Sequence, residues 1–276
     1  MFQRNLIRRV RMTLIVTLIF FGYVTTQAAS AEAFTNFLGM KFLTVPAGSF
    51  KMGAASAGGG VIRDELPQHT VEIPSFQIMT TETTLAQYKR YIIDSNRIEI
   101  VTEEFMDANA FDDNAPVVFV SWNDIRRFLH WLNQNKPAND SGTYMLPTEA
   151  QWEYACRAGE NHRYCGSDTA SEVAWYSSNS PAHQQPVAQK NANAFGLYDM
   201  SGNVGERVGD CYHENYEKAP TDGSAWVTDC ESFARRVSRG GSWKEGPQEV
   251  RVSERLAVRI TNRSPRIGFR VVRKVP

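Results

Sequence analysis

A short stretch near the C-terminus brings together side chains that could bind and transform a small molecule. Trp243 and Lys244 directly precede Glu245, and Arg251 and Arg255 follow a few positions later. An aromatic face beside guanidinium groups suits a flat, oxygen-rich ligand, and a carboxylate can accept a proton from it. Each residue also has a plainer interpretation. Glu245 would then be an exposed loop residue, and each arginine half of an ion pair that joins two loops.

The four cysteines are the next candidates for chemistry. Their even number favours disulfides in an oxidising compartment, and three pairings are possible. Proximity favours Cys156 with Cys165 and Cys211 with Cys230, because each bond would close a short loop. Free buried thiols are the alternative, which suits the first pair better than the second.

The overall composition argues against several other kinds of site. The chain has 30 basic and 30 acidic residues and a formal net charge of zero, so nothing indicates a nucleic-acid surface. The five histidines show no metal-ligand spacing, and the sequence contains neither a glycine-rich phosphate loop nor a nucleophile elbow. The histidines are most simply surface or core residues.

Residues 1–31 are predicted to be a signal peptide. Four arginines at positions 4, 8, 9 and 11 precede an apolar run at 14–24, and small residues suited to cleavage follow at 29–31 or 31–33. A retained membrane anchor is the alternative, but the apolar stretch 12–24 is short for a bilayer span. We therefore expect export by either the general secretory or the twin-arginine route, with no stable membrane span afterwards.

The elements that must position these residues can also be predicted. Helices are indicated where a hydroxyl residue precedes apolar residues at helical spacing, and the caps are Thr83 or Thr84, Ser121 and Thr148. Short strands are predicted at 71–78 and 117–120, the first interrupted by Pro74 at a sheet edge, and residues 42–50 are predicted to be a short strand and a turn. From about residue 158 onward, glycine, proline, asparagine and serine predict little regular structure. We find no internal repeat and expect one domain.

A series of motifs in a fixed order resembles the formylglycine-generating-enzyme, or sulfatase-modifying-factor, family. They lie at 45–53, 67–71, 82–84, 116–122, 146–155, 193–204, 239–243 and 267–270. The resemblance covers residues 42–273. It implies an α+β, C-type-lectin-like fold with small sheets, two or three helices and extensive ordered loops.

The resemblance also shows what this chain lacks. Copper-dependent members of the family have a cysteine three residues after the serine of the Gly-Gly-Ser motif and a second five residues later. Counting from Ser242, those positions hold Glu245 and Val250. Monovalent copper prefers thiolate ligands, so no copper is expected here. A carboxylate at the position of the reactive cysteine makes Glu245 a candidate general base.

A structural calcium ion is a second implication of the resemblance. The family binds calcium through residues that correspond to Asp199, Gly202, Val204 and Glu206, with two side-chain oxygens and two backbone carbonyls. The alternative is a capped turn without an ion. The family's two tryptophans that flank Glu206 are absent, which should open or reshape the substrate groove.

Exported members without the two cysteines include periplasmic pyoverdine-maturation proteins of fluorescent pseudomonads, and this chain resembles that branch. The resemblance implies a periplasmic oxidoreductase that converts dihydropyoverdine to pyoverdine, with Glu245 as base, Trp243 as a stacking face and oxygen as oxidant. Its partners would be a siderophore peptide substrate and other periplasmic maturation enzymes. The alternative is a lectin-like module that binds a peptide or siderophore without chemistry. Glu245 and Val250 disfavour a true formylglycine generator.

Overall fold

The computed structural model describes residues 33–56, 60–230 and 235–275, so the predicted signal peptide at 1–31 lies outside the described residues. The strands are β1 (Ala33–Thr35), β2 (Lys41–Val45), β3 (Gly48–Met52), β4 (His69–Ile73), β5 (Phe76–Met79), β6 (Thr143–Met145), β7 (Ala174–Trp175), β8 (Ser201–Gly202), β9 (Gly205–Cys211), β10 (Arg235–Arg239), β11 (Arg255–Arg259), β12 (Ile267–Gly268) and β13 (Val272–Lys274). The α-helices are α1 (Leu85–Asp94), α2 (Glu103–Ala108), α3 (Trp122–Asn135), α4 (Glu149–Arg157) and α5 (Ala170–Val173).

These strands form small sheets. An antiparallel sheet of five strands has the order β1-β2-β5-β13-β6, and a sheet of four has the order β11-β10-β9-β12. In the second sheet β10 pairs antiparallel with both neighbours, while β12 runs parallel to β9. Two further pairs, β3 with β4 and β7 with β8, complete the described sheets. This four-stranded sheet carries the candidate site.

The predicted helix caps are confirmed. Thr84, Ser121 and Thr148 each accept a hydrogen bond from the backbone amide three residues on, and each belongs to a capping box. Such a cap stabilises a helix by about 1 kcal/mol. The apolar stripe of α3 is buried as its spacing predicts. Among the described residues, we find no helix with the length and hydropathy that a bilayer crossing requires.

The core has two main parts. In one, α1 and α3 pack on the five-stranded sheet, and the rings of Tyr88 and Phe128 have centroids 5.4 Å apart. In the other, the fully buried Trp152 of α4 packs with Val208 of β9 and Val237 of β10. The helix α4 thus fixes the back of the four-stranded sheet.

Three secondary-structure predictions need correction. The valines of 117–120 are buried, but this stretch forms no strand, because Phe119 adopts a left-handed φ of 60° and its amide donates to the Ser264 carbonyl, outside any ladder. The predicted strand 71–78 is two strands, separated at Pro74, which has no amide proton to donate. The region after residue 158 contains β9, β10 and β11, whose glycines and charged residues concealed the strand pattern.

Both disulfides expected from proximity are present. Cys156 and Cys165 have Cα atoms 4.9 Å apart, and Cys211 and Cys230 have Cα atoms 5.5 Å apart. The first bond joins the end of α4 to the loop that follows it. The second ties β9 to a loop, so both constrain the irregular half of the chain.

Candidate functional site

A small groove lies against one face of the four-stranded sheet. Each strand contributes one residue to its lining: Gly205 from β9, Ser238 from β10, Leu256 from β11 and Ile267 from β12. The groove encloses about 150 Å³, below the roughly 300–1,000 Å³ of sites that hold a whole drug-sized ligand. It therefore suits one ring or one side chain of a larger molecule.

Alternation along the strands separates this groove from the core. Side chains on a strand point in turn to opposite faces. Glu206 and Arg239, the neighbours of the groove residues Gly205 and Ser238, accordingly contact α4 on the other face. The indole nitrogen of Trp152 donates to Glu206 at 2.9 Å, and Arg239 pairs with Glu153.

Gly205 keeps the groove open. A Cβ atom at this position would lie 2.9 Å from the Ser238 hydroxyl. A side chain at position 205 would therefore crowd the floor of the groove at Ser238.

The loop after β10 places Glu245 over the groove. Gly240 and Gly241 have φ angles of 92° and 65°, and a Cβ atom on Gly241 would collide with the Glu249 carbonyl oxygen. Only glycine fits this turn without strain. The backbone carbonyl of Glu245 accepts a hydrogen bond of 3.0 Å from the Ser177 amide, which holds the loop in position over the groove.

The carboxylate of Glu245 is held on both sides. One oxygen accepts a bond from the Ser242 hydroxyl, and the other pairs with Arg266 at 2.6 Å. The side chain is 22% exposed and lines the groove. Glu245 is therefore a positioned, accessible carboxylate, and the interpretation as a freely exposed loop glutamate does not describe it.

Trp243 and Lys244 lie beside Glu245 in the chain but do not line the groove within the described residues. The half-buried indole of Trp243 donates a hydrogen bond of 3.2 Å to the Pro265 carbonyl. Lys244 is exposed. Trp243 thus stands at the flank of the site, where it can contact a ligand that extends beyond the groove.

The two predicted substrate-binding arginines are occupied by buried carboxylates. Arg251 pairs with Glu65 at 2.8 Å, and Arg255 pairs with Glu149 at 2.7 Å. Both guanidinium groups are almost fully buried, and the described groove lining includes neither. Their prediction as ligand contacts needs correction: the ion-pair interpretation describes both, because the charge of each is neutralised inside the fold.

Glu254, Glu249 and Ser238 also line the groove, and no signal in the sequence pointed to Glu249 or Ser238. Glu254 pairs with Arg251 at 2.7 Å, yet burial raises its pKa to about 7, helped by the nearby charge of Glu65. Ser238 is 2% exposed, and its hydroxyl has no hydrogen-bond partner among the described residues. In the sequence, Glu254 looks like an ordinary surface charge next to Arg255. Its burial in the folded protein is what distinguishes it.

The two expected side-chain calcium ligands differ in whether their oxygens are already engaged by other residues. Both oxygens of Glu206 are engaged, one by Trp152 and Arg270 and the other by Arg270 alone. Asp199 accepts a bond from the Ala188 amide through one oxygen and has a second, buried oxygen that no described residue contacts. Within the described ranges no three His, Cys, Asp or Glu side chains are grouped to hold a metal ion.

Glu82 lies beside this predicted calcium loop and was not anticipated from the sequence. It is fully buried, and one of its oxygens likewise has no partner in the described part of the chain. Burial raises its pKa well above the ordinary range, and the charges of Asp199 and Glu206 add to the effect. Burial also raises the pKa of Asp199, to about 6. Three carboxyl groups thus lie near Arg270, and Asp199 and Glu82 each keep one buried oxygen that no described residue contacts.

The position of the copper ligands offers no thiolates. Val250 is fully buried against Ala170 and Val173, and all four cysteines are engaged in the two disulfides. The residues present therefore do not fit monovalent copper, which needs soft sulfur ligands.

Comparison with known proteins identifies the class. Residues 27–275 match the family model of the sulfatase-modifying factor enzyme 1-like domain, so the chain belongs to the sulfatase-modifying-factor, or formylglycine-generating-enzyme, family. Among solved structures, it is similar to PvdO from Pseudomonas aeruginosa, with a TM-score of 0.77, 28% identity, and coverage of 90% of this chain and 99% of PvdO. The predicted family and its α+β fold are confirmed.

Curated relatives share the family under different names. The formylglycine-generating enzyme of Streptomyces coelicolor is 26% identical over 286 residues, covering 82% of this chain and 87% of that enzyme. The chaperone protein LppX of Paenibacillus barcinonensis is 35% identical over 150 residues, covering 47% of this chain and 49% of LppX. The chain thus spans about half of LppX, and the relatives' names describe different activities.

Proposed function

We propose that this protein completes a siderophore chromophore in the periplasm, oxidising a dihydropyoverdine-type ring to the pyoverdine form. The observation that carries the proposal is the position of Glu245. Counted along the family motif from Ser242, it stands where the resemblance puts the reactive cysteine, and its carboxylate lines the groove. The motif resemblance to the pyoverdine-maturation branch and the likeness to PvdO suggest the substrate class. The two disulfides agree with an oxidising compartment such as the periplasm.

The reaction needs a proton acceptor and an electron acceptor. Forming the new ring double bond removes two electrons and two protons from the substrate. Glu245 accepts the first proton while Arg266 and the Ser242 hydroxyl hold the carboxylate in place. Molecular oxygen takes the two electrons, and the two protons finally reach it through Glu245 and solvent to give hydrogen peroxide.

A binding module without chemistry is the second candidate. One observation favours it: both oxygens of Glu245 already have partners, as in a residue that shapes a loop. Such a module would present a peptide or siderophore to another maturation enzyme. Turnover distinguishes the two functions, because a binder changes ligand absorbance only in proportion to its own concentration.

The decisive experiment compares wild type with Glu245→Gln. Purified mature protein is incubated with dihydropyoverdine in air, and chromophore absorbance and hydrogen peroxide are followed. The nearly isosteric amide keeps the loop contacts but cannot accept the proton, so we expect the rate to fall by about two to four orders of magnitude. Glu217→Gln, at an exposed position outside the groove lining, is the matched control. A Glu245→Gln protein with the wild-type rate would refute the catalytic role.

A structural calcium ion remains part of the proposal, with Asp199 as its anchor. The unpaired buried oxygen of Asp199 supports it, and Glu82 offers a second one. Carbonyls of Gly202 and Val204 would complete a set of hard oxygen donors. The engagement of Glu206 by Arg270 argues against Glu206 as a ligand. In this position the ion would neutralise buried carboxylates and brace the loop before β9.

A further inference from the structure

We infer that the groove at Glu245 binds a positively charged nitrogen group of its ligand, such as an amidinium or ammonium group. The inference deepens the proposed function, since it takes the same groove as the substrate site and specifies the charge of the part that enters. It rests on the groove's carboxylates and on an unpaired hydroxyl at its floor.

Negative charge exceeds positive charge in the groove lining. Glu245, Glu249 and Glu254 all line it, whereas Arg266 is its one basic residue among the described residues. Arg266 is already paired with Glu245 at 2.6 Å. Glu249 is an exposed member of this lining, so its carboxylate is accessible to a ligand.

Arg251 is a second source of positive charge near the groove, but it pairs with two carboxylates. Arg251 lies behind the groove and contacts both oxygens of Glu65 at 2.8 Å, while it also pairs with Glu254 at 2.7 Å. One guanidinium group cannot neutralise two carboxylates. A cationic ligand would supply the missing charge beside Glu254, in a partly buried site where charge pairs are stronger than in water.

The hydroxyl of Ser238 provides an independent indication of a ligand. Ser238 is 2% exposed and lies in the groove lining, and its oxygen has no partner within the described ranges. A buried hydroxyl without a partner is costly, so such a group commonly awaits a ligand or an ordered water. A ligand nitrogen that donates a hydrogen bond could satisfy this oxygen.

The inference predicts a dependence on pH. Burial raises the pKa of Glu254 to about 7, so it is largely neutral below that pH and negative above it. Affinity for a permanent cation should therefore rise as the pH increases through about 7. The charged groups around Glu254 are those of Arg251, Glu65, Asp64 and Arg239 within the fold, and Glu245, Glu249 and Arg266 in the groove.

Three probes of one shape test the charge preference. Benzamidine is cationic, benzamide is its neutral counterpart, and benzoate is the anionic one. Binding to the purified protein is measured by NMR titration or calorimetry at about pH 6 and about pH 8. We expect benzamidine to bind at least tenfold more tightly than either of the others, and more tightly at the higher pH, as is typical of a desolvated charge-assisted hydrogen bond.

Single substitutions then locate the binding. Glu254→Gln and Glu249→Gln should each weaken benzamidine binding by about tenfold, and Glu254→Gln should also remove the dependence on pH. Glu249 is exposed, so its variant keeps the test valid if Glu254→Gln is unstable. Glu217→Gln is the control and should bind as the wild type does.

The outcomes separate this inference from the proposed function. Benzamide binding as tightly as benzamidine, or benzamidine binding that both groove variants leave unchanged, would overturn the charge preference. If benzamidine binds selectively and the groove variants weaken that binding, but dihydropyoverdine is not turned over, the charge preference is supported and the proposed oxidation fails.

Discussion

Replacing Asp199 by asparagine separates a buried proton from a buried calcium ion. Asp199 is 2% exposed and lies near the carboxylates of Glu82 and Glu206. Asparagine has nearly the same shape and can still accept the bond from the Ala188 amide, but it carries no charge. The substitution therefore removes the ionisation and one candidate calcium ligand together.

The magnitude follows from the pKa of Asp199. Burial raises this pKa from 3.8 to about 6, so the folded state holds the proton more tightly than the unfolded state. The stabilisation is fully present below pH 3.8 and is lost as the pH rises through 6. At about 1.4 kcal/mol for each pKa unit, the loss is about 3 kcal/mol. Without calcium, Asp199→Asn should match wild type near pH 4 and exceed its free energy of unfolding by up to about 3 kcal/mol near pH 8.

Urea unfolding of both proteins, with chelator and with added calcium, is the assay. An ion bound only to the folded state would stabilise wild type by about 2.7 kcal/mol at a free concentration 100 times its Kd. The same addition should leave Asp199→Asn unchanged, and the exposed Asp107→Asn variant should behave as wild type.

Two results would refute the reasoning in different ways. If calcium stabilises neither protein or both equally, Asp199 does not anchor an ion. If Asp199→Asn is less stable than wild type near pH 8 in chelator, the buried charge is compensated by contacts that the structure does not show.

Two further predictions concern the framework of the site. Changing Cys211 and Cys230 to serine should lower the free energy of unfolding by about 3 kcal/mol, because the bond closes a loop between residues 19 positions apart; a change below about 1 kcal/mol in urea unfolding would contradict this. Arg255→Met should destabilise the fold by about 3–5 kcal/mol, since it leaves the buried Glu149 without its main partner, and adding Glu149→Gln should recover part of the loss. If Arg255→Met unfolds at the wild-type urea concentration and weakens only substrate binding, the original ligand-contact hypothesis is correct.

Features that depend on neighbouring residues were predictable from the sequence. The caps at Ser121 and Thr148 require only a hydroxyl and a polar partner three positions on, so their local pattern is sufficient. The disulfides close short loops, and proximity alone favoured the observed pairing. The family motifs indicated the fold, and they singled out Glu245, which lines a groove in the structure.

Features that depend on distant residues required the tertiary structure. Glu65 meets Arg251 across 186 positions and Glu149 meets Arg255 across 106, and no local spacing encodes either encounter. Such partners decide whether an arginine is available to a ligand or neutralised in the core. Burial, which depends on the packing of all elements, also raises the pKa of Glu254 to about 7. Sequence motifs thus located the candidate site, but only the tertiary structure showed which charged residues there remain available to a ligand.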